Sequence, residues 1–169
     1  MIRVFSHDLT PHQTHSSNVQ VFHNYPFSWR EPLEIFQSLF GFDYRYEDLV
    51  TMVTTANHIF CSYDYKTRRY IACALVNNAG GKGVLYINLF GVRQSSQHHG
   101  VGTQLLKAIL RWARKSGYSF IYLHVNADNH KAIGLYEKVG FHKHEYLPNY
   151  YQGSRKANPA GFRMIMTLS

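Results

Sequence analysis

The sequence predicts a mixed α/β or α+β fold, a central sheet of about seven strands with helices on both faces. Three observations carry that prediction. Residues 58–92 hold three strand-like runs in succession, separated only by polar or glycine-rich turns. At Val101 the apolar period switches from two to 3.6. Beyond that point one strand and one more helix precede two closing strands, so the order is not the continuous alternation of a doubly wound sheet.

Taken along the chain, residues 2–6 read as a short strand, and the polar run 8–18 as either a weak helix or a loop. Tyr25-Pro26-Phe27-Ser28-Trp29 is an aromatic loop broken by proline. Glu31-Pro32 opens a helix that carries Ile35, Phe36 and Leu39 and stops at Gly41, and residues 48–55 suggest a second short helix. Strands at 58–63 and 69–76 flank a polar turn and read as a hairpin. The three glycines and two asparagines of 77–83 make another turn before a strand at 84–92. Leu105, Leu106, Ile109, Leu110 and Ala113 then recur at helical spacing, with Gly117 as the stop. Residues 120–125 form the next strand. Asn129 starts a helix bearing Ala132, Ile133, Leu135 and Tyr136 that Gly140 ends, and strands follow at 141–146 and 162–168.

A length of 169 residues suits one domain, 1–169, able to bury a core without staples. The net charge of +8 fits a nucleic-acid binder, a ribosome-associated protein, or an enzyme whose ligand carries several phosphates, and charge does not choose among them. The basic residues are scattered, with short clusters at 66–69 and 111–115 and no basic tail. Cys61 and Cys73 are too few for a disulfide framework or a four-thiolate zinc site, so both are expected as reduced core residues. No metal site is expected: His142 and His144 share a strand face without a third ligand, and His7, His12 and His15 lie in a polar leader. Neither a secretory signal nor a run of ~20 apolar residues is present, which makes a cytoplasmic setting without membrane contact the expectation.

The informative segment is Gln97-His98-His99-Gly100-Val101-Gly102-Thr103, between a strand and a helix. Two glycines there let the backbone approach a ligand closely. The unpaired N–H groups of a first helical turn, at the positive end of its dipole, favour an anion. The Lys-Ser/Thr pair of a nucleoside-triphosphate loop is missing, and Leu105 stands where a dinucleotide fold has its third glycine. A plain tight turn is the structural alternative.

These residues resemble the GNAT acetyltransferase family, whose cofactor loop reads Gln/Arg-x-x-Gly-x-Gly/Ala, matched by Gln97, Gly100 and Gly102. Asn129, Ala132, Tyr136, Gly140 and Phe141 are similar to the same family's helix and following strand, in the right order and spacing. Within the family the likeness is to N-terminal protein acetyltransferases of the NatE and NatF type. It rests on Leu85-Tyr86-Ile87-Asn88-Leu89-Phe90-Gly91, Ile121-Tyr122-Leu123-His124-Val125, Tyr25 to Trp29, and Tyr146-Leu147-Pro148-Asn149-Tyr150-Tyr151. The resemblance implies acetyl-CoA as co-substrate, held by Leu89, Phe90, Gly91, Val92, the loop residues Gln97, His98, His99, Gly100, Val101, Gly102 and Thr103, and by Asn129 and Tyr136. It implies catalytic roles for Tyr86, His124 and Tyr136. It also implies a substrate pocket from Tyr25, Pro26, Phe27, Trp29, Tyr86, Tyr150 and Tyr151. Protein or peptide N-termini, mostly Met followed by a hydrophobic residue, would be the substrate, and a ribosome or an auxiliary subunit is compatible as a partner. No sequence-specific nucleic acid is implied. The chain departs from the pattern at His98 and His99, where the family has Arg, Lys or similar, and in the greater length of 30–57. Membrane-attached relatives carry a C-terminal amphipathic extension, whereas this sequence ends at Ser169 after its last strand.

Acetyl transfer from a thioester to an amine needs a neutral nucleophile, a stabilised oxyanion and a proton for the thiolate. Strand alternation puts Tyr86, Asn88 and Phe90 on one face, and Tyr122, His124 and Asn126 on one face of the following strand. If those strands are neighbours, His124 is the better base and Tyr86 orients the amine or relays a proton through water. Tyr136 is the family's candidate proton donor, and backbone N–H groups near Leu89 or Phe90 the oxyanion donor. Each has a structural alternative: a hydrogen-bonded strand histidine, a core tyrosine, aromatics packed at a sheet edge. Rival functions are acetylation of lysine side chains or of a small amine, and a non-catalytic acyl-CoA- or RNA-binding module.

Overall fold

A computed structural model describes residues 18–24 and 28–168. Its elements are β1 (Val19–His23), α1 (Arg30–Phe40), α2 (Tyr46–Thr55), β2 (His58–Asp64), β3 (Arg69–Asn78), β4 (Val84–Val92), α3 (Val101–Lys115), β5 (Phe120–Asn126), α4 (His130–Val139), β6 (His142–Leu147) and β7 (Gly161–Thr167). Seven strands form one sheet in the order β1-β2-β3-β4-β5-β7-β6. Among the described residues only β4 and β5 pair in parallel, and α3 makes the crossover between them.

Two apolar layers sandwich this sheet. The larger takes Leu105, Leu106, Ile109, Leu110 and Ala113 of α3, with Ile133 and Tyr136 of α4, against Ala72, Ala74, Leu85, Ile87, Ile121 and Leu123. On the other face, Leu33, Ile35 and Phe36 of α1 and Leu49 and Val53 of α2 cover Cys61, Cys73, Leu75 and Leu89. Alternate residues of β3 feed opposite layers, as the strand period requires. The expected mixed sheet with helices on both faces is therefore the observed fold.

Element ends follow their local signals. Asn129 caps α4, its side-chain oxygen accepting from the Ala132 N–H at 3.2 Å. Gly140 and Gly117 end α4 and α3 in the left-handed conformation. On α3 the last turn carries Arg114 and Lys115, which complement the helix dipole.

Two expectations change and one strand is added. The strand read at 2–6 lies outside the described residues, as does nearly all of the 8–18 run. The added strand is Val19–His23, an edge strand paired with β2 and tied to α3 by Gln104 Nε2 donating to the Val19 carbonyl at 3.1 Å. Its five residues, Val-Gln-Val-Phe-His, are too few to stand out from their polar surroundings. Cys61 and Cys73, expected as thiols, form a disulfide between register partners on β2 and β3; the hairpin juxtaposes residues that composition treats separately. A bulge at His144 breaks the alternation of β6, so His142 and His144 do not simply share a face. Among the described residues no three His, Cys, Asp or Glu side chains gather as a metal site, and no helix is long and apolar enough to cross a membrane.

Candidate active site

Register creates the site. Leu75 of β3 faces Leu89 of β4 and Val76 faces Ile87, so Asn88 is an extra, unpaired residue. Such a bulge bends its strand and reverses the side-chain alternation beyond it. Accordingly Ile87 packs into the α3 layer and Leu89 into the α1 layer. The parallel ladder to β5 covers Val84 to Ile87 only. Past that point β4 and β5 part, and the β4 main chain from Asn88 to Val92 faces the gap without a strand partner there. The result is a cleft of about 700 Å³.

At one end of the cleft lies the N-terminus of α3. Gln104 N–H donates to the Gly100 carbonyl, which leaves the amides of Val101, Gly102 and Thr103 without helical acceptors. Gly100, the N-cap, has φ +77°, a conformation that costs an L-residue roughly 1–2 kcal/mol. His98 also has positive φ, 65°. Gln97 Nε2 donates to the Val92 carbonyl at 3.0 Å and so fastens the loop to the end of β4. Lys131 and Lys138 of α4 add positive charge to the same cleft.

At the other end the lining is aromatic. Tyr86 Oη and His124 Nδ1 lie 3.3 Å apart, and Tyr150 stacks on the imidazole with centroids 4.2 Å apart. Burial, then the nearby Tyr150 hydroxyl, holds the Tyr86 phenol well above its usual range, so it stays protonated. Burial, then the Arg163 guanidinium, lowers the His124 pKa, Glu145 opposing, so the ring is neutral at physiological pH. Tyr136 is buried between Phe90 and Phe141, and desolvation raises its pKa too. Tyr150 and Tyr151 sit on the loop after β6. That loop is anchored where Asn126 Nδ2 donates to the Asn158 carbonyl at 2.7 Å, and where Tyr151 N–H donates to the Pro159 carbonyl at 2.8 Å.

Residues 22–141, which include the bulged β4, the gap beside β5 and the glycine-capped helix at its mouth, match the acetyltransferase (GNAT) family. The chain belongs to the GNAT family. It is 36% identical over 81 residues to N-alpha-acetyltransferase 50 of Danio rerio, covering 47% of this chain and 48% of that protein. Over 78 residues it is 38% identical to mycothiol acetyltransferase of Saccharomonospora viridis, covering 46% of this chain and 26% of that protein. The chain thus spans about half or less of the length of these curated relatives. The crystal structure of ribosomal-protein-S18-alanine N-acetyltransferase from Escherichia coli superposes with a TM-score of 0.77 at 20% identity, covering 89% of this chain and 94% of that one; at that identity the likeness is one of fold.

Most residues expected to serve the GNAT site line one cleft. Leu89, Phe90, Gly91, Val92, Gln97, His98, Gly100, Val101, Gly102 and Thr103 border it, as do Asn129 and Tyr136 from α4. Tyr86, His124, Tyr150 and Tyr151 border its aromatic end. His99 and Trp29 are exposed and do not border the cleft. Tyr25, Pro26 and Phe27 lie outside the described residues. The shared face expected for Tyr86, Asn88 and Phe90 is corrected by the bulge: Phe90 packs with the α3 layer, whereas Tyr86 lies across the sheet with Tyr122 and His124. Gly102 also borders α4: a Cβ there would lie 3.1 Å from Leu135 Cδ2, so this glycine lets α4 pack close as well as bordering the cleft. Sequence reasoning did not find Asp43 and Tyr44, from the turn between α1 and α2, nor Lys156, which joins Asp43 at 2.9 Å. No local period marks residues that meet across 113 positions of chain.

Proposed function

We propose that this GNAT protein transfers the acetyl group of acetyl-CoA to the free α-amino group of protein or peptide N-termini, with Met followed by a hydrophobic residue preferred. The observation that carries the reading is the acceptor end of the cleft. It is walled by Tyr44, Tyr86, Tyr150 and Tyr151, and its carboxylate Asp43 is already paired with Lys156. An apolar first residue is at home there, whereas a polycationic amine would want unpaired carboxylates. The local likeness to N-alpha-acetyltransferase 50 points the same way.

The residues present fit the co-substrate. The amides of Val101, Gly102 and Thr103 would take its diphosphate, and the unpartnered β4 edge from Asn88 to Val92 would meet its amide-bearing arm. Acetyl-CoA supplies an activated thioester carbonyl. Main-chain N–H groups near the Asn88 bulge stabilise the charge that develops on that oxygen. Tyr136, kept protonated by burial, donates a hydrogen bond toward the leaving sulfur. An α-amine has a reference pKa of about 7.7–8.0 and is partly neutral in the cell, so only a weak acceptor or water is needed for its proton. Tyr86 and His124 orient that amine.

A small-molecule amine is the second reading, favoured by the likeness to mycothiol acetyltransferase. Thiol release from acetyl-CoA, followed with peptides differing only in their first two residues and with lysine and small amines, decides between them. We expect Met-hydrophobic peptides to react fastest. Reaction with small amines and none with any free N-terminus would overturn the proposal.

A further inference from the structure

A line of polar side chains crosses four strands on the acceptor face. Glu145 of β6 and Arg163 of β7 are register partners, as are Arg163 and His124 of β5. Arg163 Nη1 lies 2.8 Å from Glu145 Oε2, and its Nε lies 3.4 Å from His124 Nε2. His124 Nδ1 then meets Tyr86 Oη on β4.

The direction of this chain is fixed by chemistry. A guanidinium has donors only and keeps its proton at any physiological pH. His124 Nε2 must therefore present its lone pair to Arg163, and a neutral ring then carries its proton on Nδ1, aimed at Tyr86 Oη. We propose that Arg163 is a positioning residue that holds His124 in the Nδ1–H form, so that His124 donates to Tyr86 and does not take the acceptor's proton. Glu145 holds the guanidinium in place. Tyr86 Oη, accepting from His124, keeps its own hydrogen for a partner on the cleft side, where the Tyr150 hydroxyl lies. When the C–N bond forms and the C–S bond breaks, the proton shed by the new ammonium leaves through water, and the thiolate takes a proton from solvent.

This inference rests on the acetyl-transfer reading for its kinetics but not for its spectroscopy. The groups that face His124 are Tyr86 from β4, Tyr122 on its own strand, Tyr150 from the loop after β6, and Arg163 from β7 with Glu145 behind it. Imidazole nitrogen shifts of the labelled protein would be recorded against pH for the wild type, Arg163→Met and Arg163→Lys. We expect the Nδ1–H tautomer in the wild type and the Nε2–H tautomer in Arg163→Met, with the titration of His124 moved up. Arg163→Lys, which keeps the charge, should shift the titration less. In kcat/KM with a peptide substrate, the acid-side break due to His124 should move up with its titration, leaving KM for acetyl-CoA within about twofold. Identical tautomer and titration in the wild type and Arg163→Met would overturn the inference, as would faster turnover in Arg163→Met, the result of freeing a base. If no peptide is acetylated, the substrate reading fails while the spectra still decide the role of Arg163.

Discussion

Tyr86 gains its position from three separate facts of sequence: its parity on β4, the parallel pairing that ends one residue later, and a histidine two positions beyond Tyr122 on β5. The first and third are legible in the sequence, because strand parity is a local property. Where the ladder ends is not, since Asn88 is an unremarkable polar residue in an alternating run and only the register with β3 makes it a bulge. The glycines divide in the same way. Gly100 is legible from its place before a helix, whereas Gly102 answers to Leu135 on a helix that the sequence cannot place beside it. If Tyr86 orients the acceptor, Tyr86→Phe should lower kcat by roughly tenfold to hundredfold, reaching only the low end of acid–base contributions, with acetyl-CoA affinity unchanged. Steady-state kinetics beside a binding titration would check this, and equal losses in both would mean a packing defect.

Among the elements, β1 shows how an edge strand is pinned. His23 stacks on Phe60 at 4.1 Å with its plane 3° away, contacts the edge of Trp112, and lies 3.2 Å from His58 through ring nitrogens. Burial, and secondarily the neighbouring His58, lowers the His23 pKa from 6.5 to about 4, and burial lowers that of His58. Both rings are thus packed neutral, and the unfolded chain binds protons more readily. Their contribution to stability is complete above about pH 6.5 and is lost as pH falls toward 4. Denaturant titrations should accordingly show stability dropping across that interval, with a shallower drop in His23→Phe. The alternation of β1 carried no hint of this, because Phe60, Trp112 and His58 all come from elements more than thirty residues away.

Among the helices, charge is unevenly divided across the sheet. Glu31, Glu34, Asp43, Glu47 and Asp48 lie on or between α1 and α2 and outnumber Arg30 and Arg45 there, while α3 bears Lys107, Arg111, Arg114 and Lys115 and no acidic residue. Composition gave the net charge but not this division, which needs the fold to put α1 and α3 on opposite faces. Exposed cations along the helix whose N-terminus faces the cleft would draw a multiply charged anion toward it. Changing Lys107, Arg111 and Arg114 together to Glu should slow acetyl-CoA association by roughly tenfold at low salt, and added salt should shrink the difference. Stopped-flow binding at several ionic strengths would measure it; a rate unaffected by the changes would remove the steering.

The fold followed from period and caps, most of the cleft lining from the family resemblance that the two glycine-bearing motifs carry, and the central claim is that the first-turn amides of α3 grip the diphosphate of acetyl-CoA. Calorimetric titration of acetyl-CoA into the wild type and Gly100→Val tests it most directly, since a β-branched residue resists the φ of +77° that aims those amides. One-to-one binding by the wild type is expected, with an affinity at least about tenfold weaker in the variant, matching a conformational cost of roughly 1–2 kcal/mol. No heat with the wild type, or equal affinity in a folded variant, would contradict it.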